Sequence, residues 1–303
     1  MKLTGAARLA TTAILCGGFL LALEEALAWS RLANLWDTDL ISYLDNGEAF
    51  LNGNFQLFIN PYWSPLYGIL TALVLKLSAA PMEMQLLTVR LTNVCIYLVL
   101  TASFAFLLGE LKQRLEENFK LSNLEKQKQA SGEAGQEPQE AQPVRAEGST
   151  EVSTEVDQNW FYSLMVVFLS FIFIYSSLAL GQTMYGTPDL LASALGFTAT
   201  ALTLKLRRLI RSGRGGAMLT ALLLAFVGAL GYLCKAPMLS YSYLLLLALA
   251  PEALSQKQIR KPLLTAFVLL TILVAPYIAL ISQKAGHLTF SDVWKVGQSW
   301  NIF

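Results

Sequence analysis

The sequence predicts an all-α polytopic membrane protein, with about seven transmembrane helices and juxtamembrane helices in its first external loop. Three observations predict it. Of 303 residues, 54% are hydrophobic and only 14% charged, whereas a soluble domain carries roughly 25% charged residues. The apolar residues come in uninterrupted blocks, several near the ~20 residues needed to cross a hydrocarbon core. The basic residues form compact clusters between those blocks, where they report orientation more than a ligand. The net charge of +1 gives no argument for nucleic acid.

The first block, Leu9 to Trp29, is preceded by Lys2 and Arg8. It reads as an uncleaved anchor. A cleavable signal peptide ending near Ala26, Leu27 and Ala28 is the rival, and Glu24 and Glu25 are unusual just before a cleavage site. Either way the chain from Trp36 emerges outside the cytoplasm. A polar stretch from Asp37 to Tyr67 follows, the densest cluster of acidic and aromatic residues in the chain. Leu66 to Ala80 is apolar but only about 15 residues long and contains Lys76, which suits a helix lying at the interface.

Charge bookkeeping tests that choice. If Leu66 to Ala80 does not cross, Leu86 to Leu108 runs inward, Trp160 to Leu180 outward and Leu190 to Leu204 inward again. The cluster Lys205, Arg207, Arg208, Arg211 and Arg214 is then cytoplasmic. Ala217 to Leu233 goes outward and Met238 to Ala250 returns, which leaves Lys257, Arg260 and Lys261 inside as well. The seventh span, Leu263 to Ile281, ends outside with a short tail, Gln283 to Phe303. If Leu66 to Ala80 crossed, both basic clusters would face out.

The division is therefore 1–111 (two spans and the first external loop), 112–158 (a cytoplasmic linker) and 159–303 (five spans and the tail). The linker is rich in Glu, Gln, Ser and Ala and contains Pro138 and Pro143. It is expected to be disordered, because it has little apolar surface to offset ordering entropy. Cys16, Cys95 and Cys234 all sit inside apolar blocks without paired spacing and read as packing residues. His287 is the only histidine, which disfavours a multi-histidine zinc site.

On this topology Asp37, Asp39, Asp45, Glu48, Asp189 and Lys235 meet on one face of the membrane, although they are far apart in sequence. Ionisable groups at span ends are candidate site residues. Asp39 opens DLISYLDNGEAFLNG, a short amphipathic helix with Leu40, Tyr43, Leu44 and Leu51 on its apolar side. Gly53 and Asn54 stop it. Two readings of Asp39 are open: a helix N-cap, or a general base at the membrane boundary. Asp189 in GTPDLLA is either a cap or a second functional acid. Lys235 in GYLCKAP is either a snorkelling lysine or a point charge for a lipid-linked phosphate. Tyr62, Trp63 and Tyr67 in NPYWSPLY form an aromatic belt that next to acids can stack on a sugar ring. Glu24 and Glu25 end the first span, as solvated charges or as part of the same site.

The order of these features, DLISYLDNGEAFLNG with its D-x-x-x-Y and L-x-x-G elements, INPYWSPLY, TPD and GYLCKAP, resembles the integral-membrane glycosyltransferases of the C superfamily. The nearest likeness is to protein O-mannosyltransferases and the lipid A aminoarabinose transferase. It covers the chain apart from Lys112 to Gln158. The resemblance implies inverting transfer of a sugar from a polyprenyl-phosphate carrier to a lipid, glycan or protein acceptor, on the extracytoplasmic face of the plasma (inner) membrane. Asp39, helped by Asp37 and with Asp189 as the second acid, would be catalytic. Lys235, Tyr43, Trp63 and Tyr67 would bind the donor lipid or sugar.

No cofactor is implied, although Asp37, Asp39 and Asp189 could share a divalent metal if they converge. Many relatives carry an acid directly after the first-loop aspartate, where this chain has Leu40. Relatives also continue with further spans and an external domain, so the resemblance implies a chain lacking that C-terminal part, or one that works with a partner subunit. A non-catalytic polyprenyl-lipid binder is the alternative, and a small transporter is disfavoured because no central span carries paired charges.

Overall fold

A computed structural model describes residues 3, 5–31, 38–133, 147–179, 186–213 and 215–293. Every regular element among them is helical: α1 (Gly5–Arg31), α2 (Thr38–Leu51), α3 (Phe55–Phe58), α4 (Pro65–Ser78), α5 (Met82–Glu133), α6 (Glu147–Ala179), α7 (Asp189–Arg211), α8 (Ala217–Cys234), α9 (Pro237–Leu247), α10 (Ala250–Ser255) and α11 (Lys257–Ala285). Among the described residues, seven stretches are long and apolar enough to cross a membrane: α1, α5, α6, α7, α8, α9 with α10, and α11. They coincide with the seven expected spans. α4 is apolar but shorter, and it packs chiefly along α2.

The bundle has two large apolar cores and a small third one around Leu40, Leu86 and Val89. One joins α7, α8, α9 and α11 around Leu206, Leu224, Tyr232 and Leu270. The other joins α1, α5, α6 and α7 around Tyr97, Phe104 and Phe173, and reaches up to Tyr43 and Tyr67. Phe104 and Phe173 stack with ring centroids 4.4 Å apart, and α5 and α7 are tied by a Thr198 to Ser103 hydroxyl hydrogen bond of 3.0 Å. The helices α2 and α4 cross without side chains between them: a Cβ on Gly47 would lie 2.0 Å from the Gly68 carbonyl oxygen, and one on Gly68 would lie 2.3 Å from that of Tyr43. Only glycine permits this approach.

The two ends of the bundle differ in their charges. At one end Arg208 makes a two-point contact with Glu110, 2.9 and 3.1 Å, while Glu252 takes Arg207 and Arg211. Asp39, Asp189 and Lys235 belong to the opposite end. α7, which joins the two, is 23 residues long, or about 35 Å at the helical rise.

Two expectations need correction. The segment 112–158 was expected to be disordered, but α5 continues through it to Glu133 and α6 begins at Glu147. Its Glu, Lys, Gln, Leu and Ala are strong helix formers, and a helix already nucleated inside the membrane adds further residues without a second nucleation cost. Lys112 and Glu116 reinforce it one turn apart, at 3.8 Å. Residues 134–146, with Pro138 and Pro143, lie outside the described residues. Of the three cysteines only Cys234 packs in the interior; Cys16 and Cys95 lie on exposed helix surfaces.

Candidate functional site

At the end of the bundle away from the Arg–Glu cluster lies a cavity of about 640 Å³. Five elements build its walls. α2 supplies Asp39 in its first turn and Tyr43 one turn later. The turn before α4 supplies Tyr62, Trp63 and Ser64. Asn60 shapes that turn, its side-chain oxygen accepting the Tyr62 and Trp63 amides at 2.8 and 3.3 Å, and Pro65 in the first turn of α4 needs no amide hydrogen there.

Thr187, Pro188 and Asp189 come from the head of α7. Lys235 comes from the break between α8 and α9, where it is extended (φ −154°, ψ 124°) and Pro237 restarts the helix. The fifth wall is the segment after α11, which contributes Phe290, Ser291 and Val293.

The Lys235 ammonium donates to the Asp189 carboxylate, across 46 positions of sequence. Asp189 is already inside α7, with Pro188 at the cap position and no side-chain cap bond; its carboxylate is therefore the counter-ion of Lys235 and also a favourable charge at a helix N-terminus. Both side chains stay open to solvent, 44% for Lys235 and 31% for Asp189, so the pair remains accessible from the cavity. Tyr43 is buried beside Trp63 and Tyr67, edge to face at 5.1 and 5.4 Å. Its hydroxyl is pushed well above the usual phenol range, first by burial and then by Cys234, Asp39, Asp189 and Tyr67. Tyr43 is thus a donor and never a base in neutral solution.

Known protein families, curated proteins and solved structures offer no match to this chain.

Of the residues singled out in the sequence, Asp39, Tyr43, Trp63, Asp189 and Lys235 line one cavity. Asp37 lies outside the described residues. Tyr67 does not line the cavity. It is fully buried and its hydroxyl donates to Asn93 at 2.9 Å, because it sits in the first turn of α4 on the side that meets α5. The expected binding role is withdrawn for Tyr67, which instead props Tyr43. Glu24 and Glu25 are not among the lining residues either. Among the described residues no three His, Cys, Asp or Glu side chains are grouped to hold a metal ion.

Leu40, where relatives of the resembled family often carry an acid, is 2% exposed. It packs with Leu86 and Val89 and against the backbone of Gly186, where a Cβ would come within 2.4 Å of it. Position 40 is a core position here, and a carboxylate would not fit it.

The tail wall was not foreseen. The Asp292 amide donates to the Pro61 carbonyl at 2.8 Å, Tyr232 donates to Phe290 at 2.9 Å, and Tyr277 donates to Asn60 at 3.2 Å. Asp292 accepts from Thr289 at 2.9 Å and meets His287 at 3.1 Å. A Gly stop followed by alternating Thr, Ser and Asp was the available signal. A second, polar cleft was missed as well. Its signal was four asparagines between positions 46 and 60.

Proposed function

We propose that this chain is a glycosyltransferase of the C-superfamily type, moving a sugar from a polyprenyl-phosphate carrier to an acceptor hydroxyl on the extracytoplasmic side. One observation carries the reading: Asp39, Asp189 and Lys235, from three separate elements, line a single cavity at the end of the bundle opposite the basic clusters. The positive-inside rule makes the basic end cytoplasmic, so the cavity opens on the outer face.

The chemistry follows from the residues. Asp39 takes the proton of the acceptor hydroxyl as its oxygen attacks the anomeric carbon. The bond from that carbon to the phosphate oxygen breaks, and its electron pair leaves with the polyprenyl phosphate. Lys235, kept charged and oriented by Asp189, and the Tyr43 hydroxyl stand ready to stabilise the charge on that leaving group. Inversion follows from a single displacement, and Trp63 offers an aromatic face for the sugar.

The experiment is transfer of a radiolabelled sugar from a polyprenyl-phosphate donor in membranes containing the Asp39→Asn variant. Transfer is abolished while membrane expression survives; normal transfer by the variant overturns the assignment of the base. A second reading, a polyprenyl-lipid binder without turnover, draws on the same Lys235, whose side chain is 44% exposed beside Asp189 and can hold a carrier phosphate without any transfer. That reading expects lipid-linked sugar to co-purify with the protein and Asp39→Asn to be harmless.

A further inference from the structure

The peptide that carries α3 toward α4 runs down the side of α11. Lys284, in the last turn of α11, donates to the Gln56 and Ile59 carbonyls, Tyr277 donates to that of Asn60 at 3.2 Å, and the Asp292 amide donates to that of Pro61 at 2.8 Å. Lys284 and Tyr277 are about 10 Å apart along the helix. The stretch 56–60 therefore descends beside the apolar end of a membrane span, whose hydrophobic run closes at Ile281. Non-helical backbone is tolerated at that depth only where protein groups satisfy it, and these four carbonyls have protein donors.

The surface of this corner is inside out for a protein in water. α3 buries none of its residues, and Phe55 and Leu57 are exposed, as is Leu280 across the same groove on α11. After α11, Thr289, Ser291 and Asp292 are buried while Leu288, Phe290 and Val293 are exposed, Leu288 at 88%. Apolar side chains gathered on the outside mark contact with another apolar phase, and the bilayer around α11 is the one at hand.

The groove between α3 and α11 has a volume of about 450 Å³. Its wall is apolar at Phe55, Leu57, Ile59 and Leu280, and Lys284 stands in the same lining with the carboxamides of Gln56 and Gln283. Lys284 is bonded to carbonyls, and among the described residues no carboxylate pairs with it. Its charge is therefore uncompensated. An ammonium has three N–H donors; two are used, and the exposed side chain leaves the third open.

We infer that this groove binds one anionic phospholipid, its phosphodiester on the third N–H of Lys284 and an acyl chain along Leu57, Ile59 and Leu280. Charge selects the head group. A net charge of −1 balances a lone ammonium, whereas a zwitterionic head group brings a second cation to a lining that offers it no carboxylate. The carboxamides of Gln56 and Gln283 donate as well as accept, which suits phosphate oxygens. The site stands whether or not the chain transfers sugar.

The test uses the full chain with Cys16, Cys95 and Cys234 replaced and with Leu273→Cys, an exposed position two turns below Leu280 on the same face of α11, labelled with bimane. The vesicles hold equal parts of dioleoyl phosphatidylglycerol and dioleoyl phosphatidylcholine. One lipid at a time is exchanged for its form brominated on the acyl chains, so the membrane keeps its composition while the quencher moves. Bromine on phosphatidylglycerol quenches about fivefold more than bromine on phosphatidylcholine, the preference one basic residue confers on an anionic lipid. Lys284→Gln removes the preference and Lys284→Arg keeps it. Gln283→Glu, which sets an acid in the lining without touching the carbonyl bonds of Lys284, removes it too, so the result does not hang on a variant that loosens α3. The same label on Phe168→Cys, exposed on α6, shows no preference.

Equal quenching by the two lipids at Leu273→Cys overturns the inference. So does a preference that survives Lys284→Gln or Gln283→Glu, one that is lost in Lys284→Arg, or one equally strong at Phe168→Cys, which would belong to the whole annulus of lipid. Loss of the preference on adding inorganic phosphate, at the ionic strength of a chloride control, would make this a free-anion site and overturns it as well.

Discussion

At the scale of single residues, the cavity is organised by one ion pair and one buried phenol. Lys235 and Asp189 are each partly exposed, and an exposed pair of this kind contributes no more than about 1 kcal/mol to stability. Asp189→Asn is therefore expected to shift thermal unfolding very little while lowering sugar transfer by more than tenfold, and a melting curve measured beside the transfer assay separates the two effects. Tyr43→Phe removes a hydroxyl that stays protonated under all ordinary conditions; the expected outcome is slower transfer with an unchanged pH profile, because no titrating group has been lost. Leu40 shows how a residue that looks like a departure from a pattern can be explained by its surroundings. It is enclosed by Leu86, Val89 and Gly186, and acidity at that position would be a buried, uncompensated charge.

At the scale of elements, the first external loop is held in place by backbone contact. Gly47→Ala or Gly68→Ala must push α2 away from α4, since each new Cβ falls within 2.3 Å of a carbonyl oxygen. Overpacking of this sort costs about 1–3 kcal/mol. Gly109→Ala, in α5 with nothing within 4 Å of the new methyl group, gains roughly 0.5–1 kcal/mol of helix propensity. Thermal unfolding of the three variants in the same detergent distinguishes these opposite signs.

The element scale is also where sequence reasoning succeeded and failed most instructively. The spans were legible because apolar length and basic clusters follow directly from the thickness and sidedness of a bilayer. α4 was recognised as a helix too short to cross, from its length and from the placement of the arginines. The extension of α5 to Glu133 was missed, because polarity was taken as evidence of disorder although the same residues propagate a helix that has already begun. The docking of the tail on Pro61, and of α11 on Asn60 through Tyr277, was invisible, since nothing in either segment names its partner more than 200 positions away.

At the scale of the whole molecule, the two ends carry different kinds of charge. Arg207, Arg208 and Arg211 are engaged by Glu110 and Glu252 at one end, and the cavity with its acids lies at the other. The orientation this implies is open to direct measurement. In a background with Cys16, Cys95 and Cys234 replaced, a cysteine at Asn52 is labelled by an impermeant maleimide added outside intact cells, and one at Ser212 only after the membrane is opened. The reverse pattern would turn the molecule over and remove the extracytoplasmic reaction. The convergence of Asp39, Asp189 and Lys235 was legible from topology alone, whereas the polar cleft beside them was not, because asparagines are usually read as turn formers.

Trp63 is the wall common to both chambers, so a shift of its indole reshapes the two together. A ligand that pins the indole from one side changes the affinity on the other, and by thermodynamic reciprocity the second ligand returns the same factor to the first.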